Sequence, residues 1–493
     1  MASGVLVVDV GTSGVRTAVV RPDGEVTDVH RRALPARSPF PGLVEIDAVA
    51  IAAAVLDLAA ATLAASGPVE GVGIANQRAT TVVWDRDSGE PVAPGIGWQD
   101  LRTVGTCLAM QADGFRFPPN ASATKVAAIL DDVDPDRARA ADHLCFGTVD
   151  TWVAWTLSGG RRGGVHVTDP TNAAVTWMLQ PDAREWDARV LDALRIPPAM
   201  LPTLVDSSGV VGEAQSLPGA PPICGLAGDQ QASMVGQGCT RPGLAKATFG
   251  TGGMLDVCTG AAAPDTFDRA AGGTFPIVAW QRSGAAVWGT EAIMLSAGSS
   301  VQWLADDLAI IADPAESAAV AARCADTDGL VFVPALLGLG TPVWDFGARG
   351  TLLGLTIGSG RPQIVRAVLE GVAHRGADLL EAAESDTGTV IETLRIDGGM
   401  SANDVFVQAL ADATGRPIEV SAQLEATTLG AGHLAGMATG WWGGPDDLAA
   451  AYVPARTVEP RATAQDRERD RARWLEVRRR AERTIPELSA IDF

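Results

Sequence analysis

The sequence predicts an α/β fold of more than one domain, and three observations carry that reading. Runs rich in β-branched and apolar residues at 5–10, 17–20, 71–77, 223–227, 254–258, 286–289 and 394–396 have the length and composition of buried strands. Helix-forming stretches at 48–65, 296–308, 364–383, 408–414 and 429–437 lie between them, and the order of elements in the second half loosely echoes the first. At 493 residues the chain exceeds what one hydrophobic core supports, and with 47% apolar residues it can fill two or three.

A formal net charge of −21 would repel the phosphates of nucleic acid and the anionic face of a membrane, so neither is an expected partner. ATP remains compatible, because local Gly, Thr, Arg and Mg²⁺ can offset the field. Cys107, Cys145, Cys224, Cys239, Cys258 and Cys324 are dispersed, without the short paired spacings of a zinc site or a disulfide framework, and read as reduced thiols. The start, "MASGVLVVDVG", enters strand sequence with no basic leader, and no later run reads as transmembrane. A cytoplasmic enzyme is expected, in which the sequon Asn120-Ala121-Ser122 would be inert.

In chain order, the run 5–10 leads through Gly11-Thr12-Ser13-Gly14 into 17–20, which predicts a hairpin. A Walker loop needs a lysine after its last glycine, and the only lysines, Lys125 and Lys246, stand elsewhere; no G-x-G-x-x-G opens a βαβ unit. Instead Asp9, Thr12, Ser13 and Arg16 offer a carboxylate for hydrated Mg²⁺, two hydroxyls and a guanidinium, a set suited to β- and γ-phosphates. Arg78 follows the strand 71–77, where open sheets place ligands, and Trp98 follows another strand-like segment and is a candidate wall of the same pocket. The stretch 225–253 carries the strongest chemistry. Asp229 and Gln230 follow a strand and suit a general base beside an amide, while Thr248 to Gly253, with Gly250, Thr251 and Gly252, suits a phosphate loop. Later, the strand 394–396 opens through Gly398 and Gly399 toward Asn403, a candidate contact for a base or sugar. Trp344-Asp345-Phe346-Gly347 contains a DFG triplet without the other protein-kinase motifs, and the charged run 465–484 predicts a helix with scattered apolar contacts and mainly a solvated C-terminal face.

These segments resemble the FGGY carbohydrate kinases, and among them the glycerol kinases. The similarity runs nearly end to end through "VDVGTSGVR", "PGLVEID", "NQRATTVVWDR", "FGTVDTWVAW", "HVTDPTNAA", "GLAGDQQA", "TFGTGG", "AGSSVQWL" and "RIDGGMSANDVF", and the family's second signature is complete from Gly350 to Glu370. The resemblance implies two ribonuclease-H-like, actin-like domains, each a mixed sheet flanked by helices, at 1–237 and 238–493, with ATP and substrate in the cleft between them. By matching positions Asp229 is the base, Asp9 and Asp229 serve Mg²⁺, and Thr12, Ser13, Arg16 and Thr251 face the phosphates. Gly298, Gln302, Gly399 and Asn403 form the adenosine site, and Arg78, Trp98, Asp229 and Gln230 line the substrate pocket. Glycerol kinases carry Glu after the pocket arginine, where this chain has Ala79, and the tyrosine of their "YFSGTK" corresponds to Asn120. The reacting half of the site is therefore retained and the selecting half altered.

The expected activity is ATP-dependent phosphorylation of a primary hydroxyl on a small polyol or sugar. A ketose kinase of the xylulose type is the alternative within the family, and an actin- or Hsp70-like mechanical ATPase the alternative outside it. Asp229, Gln230 and Arg78 favour the kinase, because a mechanical ATPase needs no polyol pocket. Homodimer and homotetramer are both open.

Overall fold

The computed structural model describes residues 4–423 and 425–493. Strand β1 (Val5–Gly11) turns through Thr12 and Ser13 into β2 (Gly14–Val20), and β3 (Val26–Ala33) pairs antiparallel with β2. Helix α1 (Ala48–Ser66), capped by Asp47, crosses over to β4 (Gly71–Asn76), which runs parallel to β1. Strands β5 (Ser208–Glu213) and β6 (Pro222–Gly228) complete the first sheet, β6 parallel to β4 and β5 antiparallel at the edge. Val5 to Val8 are wholly buried, as a central strand covered on both faces must be.

Helix α2 (Asp229–Gly236) leads out of this sheet to the second, which begins with β7 (Ala245–Phe249), β8 (Gly253–Gly260), β9 (Phe275–Arg282) and β10 (Ala285–Met294). Then come α3 (Gly298–Asp306), α4 (Arg361–Thr387), β11 (Leu394–Asp397), α5 (Asp404–Thr414), β12 (Ile418–Ser421), α6 (Ala426–Thr439), β13 (Pro454–Val458) and α7 (Ala464–Ala481). Among the described residues the two large sheets have six and seven strands, ordered β5-β6-β4-β1-β2-β3 and β9-β10-β8-β7-β11-β12-β13. The first is an antiparallel three-strand meander, and the second an antiparallel set of four strands in the order β7-β8-β10-β9; each is joined to two parallel strands and closed by an antiparallel edge, so the echo read in the sequence is a largely repeated topology. The repeat makes the turn after β7 the counterpart of the turn after β1.

Helix α6 returns to the first domain. Leu429, Ala431 and Leu434 share a core with Val7, Ala75 and Ala227 of the first sheet and with Met234 and Val235 of α2. A Cβ on Gly225 would meet the Ala435 amide nitrogen at 2.7 Å, and a Cβ on Gly430 would collide with the Ala232 carbonyl, so glycine sets how closely the elements approach. These contacts tie the two domains by backbone proximity.

Two expectations are corrected. Helix α1, at 19 residues, is apolar enough by length and composition to cross a membrane, contrary to the reading that no run is; Ile51, Val55, Leu58 and Leu63 instead pack with Leu6 and Val8. Helix α7 buries more than scattered apolar contacts: Arg471, Trp474, Val477 and Ala481 are buried. Arg471 and the Trp474 indole both donate to Asp378 of α4, at 2.7 and 3.1 Å. Burial alone would raise Asp378, but Arg375, Arg471 and Arg478 outweigh it and bring its carboxyl down to about 2. The DFG triplet is a turn, with Asp345 accepting from the amides of Gly347 and Ala348 at 2.8 and 3.0 Å.

Candidate active site

The two equivalent turns, Thr12-Ser13 and Gly250-Thr251-Gly252, belong to the two different sheets, and the resemblance sorts the groups around them into an expected nucleotide end and an expected substrate end. At the nucleotide end the structure is mostly backbone. The amide of Gly298 donates to the Gly250 carbonyl at 2.9 Å, and those of Ala297 and Ser299 donate to the Thr251 carbonyl at 2.9 and 3.1 Å. A Cβ on Gly298 would lie 2.5 Å from the Gly250 oxygen, so only glycine permits this approach. Gly398, at φ +87°, likewise sits against the Phe249 carbonyl, whereas a Cβ on Gly399 would meet open space. Thr251, Gln302 and Gly399 are exposed beside this assembly. Gln302 donates to Asp306 at 2.9 Å. Asn403 caps α5, its oxygen accepting from Val405 and Phe406 at 3.1 and 3.0 Å while its amide donates to Ser317 at 3.0 Å. Its side chain is thus engaged within the fold.

On the first-domain side Thr12 and Ser13 are exposed at the hairpin tip. Arg16 reaches Asp9 at 3.4 Å and also bonds Glu425, which bonds Arg31 as well. Glu425 immediately precedes α6, so the returning helix brings a second-domain acid to the first phosphate loop. Asp9 is nearly buried on β1 and accepts weakly from Thr428. Burial raises its pKa, Arg16 opposes that, and Asp229 adds to it.

The substrate end is built from charged side chains. Asp229 is the first residue of α2, where the helix dipole favours an acid, and its Oδ1 accepts from the Gln230 amide at 2.9 Å. Burial raises its pKa, with Arg78 as the largest opposing influence, although 32% of its side chain is accessible. A raised carboxyl pKa suits proton acceptance from an alcohol near neutral pH. Arg78 Nε lies 3.5 Å from Asp229, while its Nη2 donates to Glu291 on β10 of the other domain at 2.6 Å. Gln230 Oε1 accepts from Lys246 on β7 at 2.7 Å; an ammonium only donates, so this contact fixes the amide and turns its NH₂ away from the lysine.

Trp98 is half-buried, and its indole N–H donates to Thr12 at 3.1 Å, joining the pocket wall to the phosphate hairpin. Lys125 is wholly buried and donates to the carbonyls of Gly97, Trp98 and Asn120 at 2.8, 3.1 and 3.2 Å. Ala79 adopts φ +61° with its methyl covered, its carbonyl accepting from Ser122 at 2.9 Å. Asn120 is exposed, in the turn before Ser122.

The structure thus pairs Asp9 with Arg16, and Asp229 with Arg78 and Gln230, places Asp229 within electrostatic influence of Asp9, links Trp98 to Thr12 of the hairpin, and joins Gly250 and Thr251 to Gly298 through main-chain hydrogen bonds on the second sheet. Sequence reading missed Lys125, Lys246, Asp256, Glu291 and Glu425. One signal was present: lysine occurs twice among 38 basic residues, and both copies are wholly buried here.

Mg²⁺ was tested on the donor set. Asp9 and Asp229 are hard oxygen donors, and Asp229 raises the cost of ionising Asp9, which a divalent cation would relieve. Among the described residues no group of three or more His, Cys, Asp or Glu is gathered for a metal. Two carboxylates still fit magnesium, which keeps waters and takes further oxygens from phosphates.

The sequence matches the N-terminal domain of the FGGY family of carbohydrate kinases over residues 4–236 and its C-terminal domain over 245–439. A glycerol kinase of Aromatoleum aromaticum is 41% identical, across 97% of this chain and 98% of its own. Glycerol kinase 2 of Thermotoga maritima is 39% identical over 96% of this chain and 97% of its own. Among solved structures, Plasmodium falciparum glycerol kinase with ADP superposes with a TM-score of 0.91 at 26% identity, covering 100% of this chain and 99% of the other. Shared topology, full-length coverage and both matched domains lead to one conclusion: the chain belongs to the FGGY family of carbohydrate kinases.

Proposed function

We propose that the protein transfers the γ-phosphate of ATP to the primary hydroxyl of a small polyol, with Asp229 as general base, and that its pocket differs from a glycerol site. The observation that carries this reading is the partly open Asp229 carboxylate, held at a helix start 3.5 Å from the Arg78 guanidinium. Similarity to glycerol kinases over nearly the full chain supports it.

In this reading the first phosphate loop, pocket and base belong to residues 1–237, and the second phosphate loop and adenosine site to 238–493. Arg78 and Gln230 donate to substrate hydroxyls, Trp98 walls the pocket, and Asp229 accepts the proton of the attacking hydroxyl. Thr12, Ser13, Arg16 and Thr251 hold the terminal phosphates and meet charge developing on the transferring group. Gly298, Gln302 and Gly399 border the adenosine, with Asn403 shaping its floor as a cap. Asp9 and Asp229 would hold Mg²⁺, which when bound neutralises phosphate charge. With six free thiols and ATP as donor, a cytoplasmic setting fits.

A second reading, a ketose as acceptor, is favoured by one feature. Lys246 turns the Gln230 amide so that it offers N–H groups, and Ala79 supplies no carboxylate, so the pocket donates more than it accepts. A carbonyl beside the primary alcohol would suit it. The test is phosphorus NMR of purified protein with ATP, Mg²⁺ and either glycerol or a C4–C6 polyol or ketose. A primary phosphomonoester is the expected product; ATP hydrolysis unaffected by any acceptor would instead point to a mechanical ATPase.

A further inference from the structure

Lys246, Asp256 and Glu291 form one row across three strands of the second sheet. Lys246 on β7 is the register partner of Asp256 on β8, and Asp256 that of Glu291 on β10. Lys246 Nζ is 2.8 Å from Asp256 Oδ2. Both these residues are 0% exposed, and Glu291 is 6% exposed. The row extends through Arg395, register partner of Lys246, which bonds the Gln237 carbonyl just past the end of α2.

Buried ion pairs are a poor device for stability, since well-packed apolar residues do as well or better, and a row of three buried ionisable side chains therefore asks for another explanation. Their contacts supply one. Glu291 takes Nη2 of Arg78, and Lys246 takes Oε1 of Gln230, so the row ends on the two first-domain side chains that the kinase reading assigns to the acceptor. Arg78 Nη1 is buried with no hydrogen-bond partner, a donor whose position needs an explanation.

We propose that Glu291 and the Lys246–Asp256 pair are positioning residues for phosphoryl transfer: reaching across from the second domain, they fix Arg78 and Gln230 so that the acceptor pocket is complete only when the two domains meet. This rests on the kinase reading above. The row touches neither ATP nor the reacting atoms. It orients the guanidinium and the amide, Asp256 anchors the lysine, and Arg395 holds the far end of the same helix. Binding of the acceptor is thereby coupled to domain approach; Lys246 also donates to Thr248 at the start of the loop 248–253, at 3.1 Å, so Glu291 is the member of the row whose loss loosens acceptor recognition without a bond to that loop.

The test uses the full chain. Phosphorylation of glycerol and dihydroxyacetone by the unmodified enzyme is measured first; if neither is phosphorylated, a C4–C6 polyol or ketose that is phosphorylated takes their place, and absence of any transfer counts against the kinase reading itself. In an active enzyme, Glu291→Gln is isosteric and is expected to raise the acceptor KM at least about tenfold, about the worth of one hydrogen bond to a charged group, while the ATP KM stays within about twofold. The paired change Lys246→Met with Asp256→Leu removes both charges together and is expected to raise the acceptor KM with little change in thermal midpoint. A double-mutant cycle isolates the route: in an Arg78→Ala background, Glu291→Gln should add nothing. An unchanged acceptor KM in both variants, a matching rise in the ATP KM, or a full Glu291→Gln effect persisting without Arg78 would each overturn the proposal.

Discussion

The two ends of the site are made of different material. At the nucleotide end the loop at 250–252 is pinned by main-chain hydrogen bonds to 297–299, and glycine at 298 is what lets the segments touch. At the substrate end Arg78, Asp229, Gln230, Lys246, Asp256 and Glu291 hold one another through charged side chains drawn from both domains. A site of backbone binds what every ATP shares and tolerates exchange of neighbouring side chains. A site of side chains can be retuned one residue at a time, and it is there, at Ala79 and Asn120, that the sequence resemblance implies a departure from the glycerol kinases.

The largest expected effect is at the base. Asp229→Asn should lower kcat roughly 10²- to 10⁴-fold with ATP affinity retained, the worth of a positioned proton acceptor. Near-normal turnover would make Asp229 a helix-start acid only. Next come the groups that meet developing charge: Thr251→Val and Arg16→Ala should each reduce kcat by up to about 10²- to 10³-fold, judged by single-turnover rates. If either acted only through thermal stability, the two-loop account would fail for that residue.

The backbone end is probed by a pair of glycines. Gly298→Ala forces a Cβ against the Gly250 carbonyl and should weaken ATP binding by about 1–3 kcal/mol, whereas Gly399→Ala meets open space and should change it little. Equal effects on nucleotide affinity would erase the contrast.

A smaller and pH-dependent effect belongs to Lys125. Burial lowers its pKa from 10.5 to about 7, so between those values the unfolded chain holds a proton that the native protein has released. Native stability from this group therefore rises with pH across that window, by at most about 1.4 kcal/mol per unit, and is least below pH 7. The neutral amine has two N–H groups for three carbonyls, so its hold on Gly97, Trp98 and Asn120 slackens as the proton leaves. Denaturation curves from pH 6 to 10 should show the slope in the unmodified protein and its loss in Lys125→Met. The same slope in both would place Lys125 outside the titration.

How much was legible follows the same division. Strand runs such as 5–10 and 394–396 became β1 and β11, because buried central strands are continuous apolar runs that need no partner to be recognised. Glycine loops were legible for a similar reason: the requirement is local. The apolar stretch 429–437 was readable as a helix, but that it crosses back onto the first sheet was not, since Gly430 has meaning only against the Ala232 carbonyl. Helix α7 misled because Arg471 and Arg478 look like solvent-facing charge until Asp378 of α4 is beside them. Arg78 and Glu291 are 213 positions apart, and nothing in either neighbourhood names the other. Lys246 carried the one usable hint, a scarce lysine in an arginine-rich chain.

The central claim, that the reacting end is that of a polyol kinase while the selecting end has changed, is tested most directly by kcat/KM for glycerol beside C4–C6 polyols and ketoses under one set of conditions. With Ala79 where the resemblance implies a carboxylate in glycerol kinases, glycerol is expected to lose a hydrogen bond to a charged group, about 1.5–3 kcal/mol or roughly ten- to a hundredfold or somewhat more. The account predicts measurable but poor turnover of glycerol and a higher kcat/KM for a longer polyol or a ketose. Glycerol standing clearly as the best acceptor of the unmodified enzyme would contradict it.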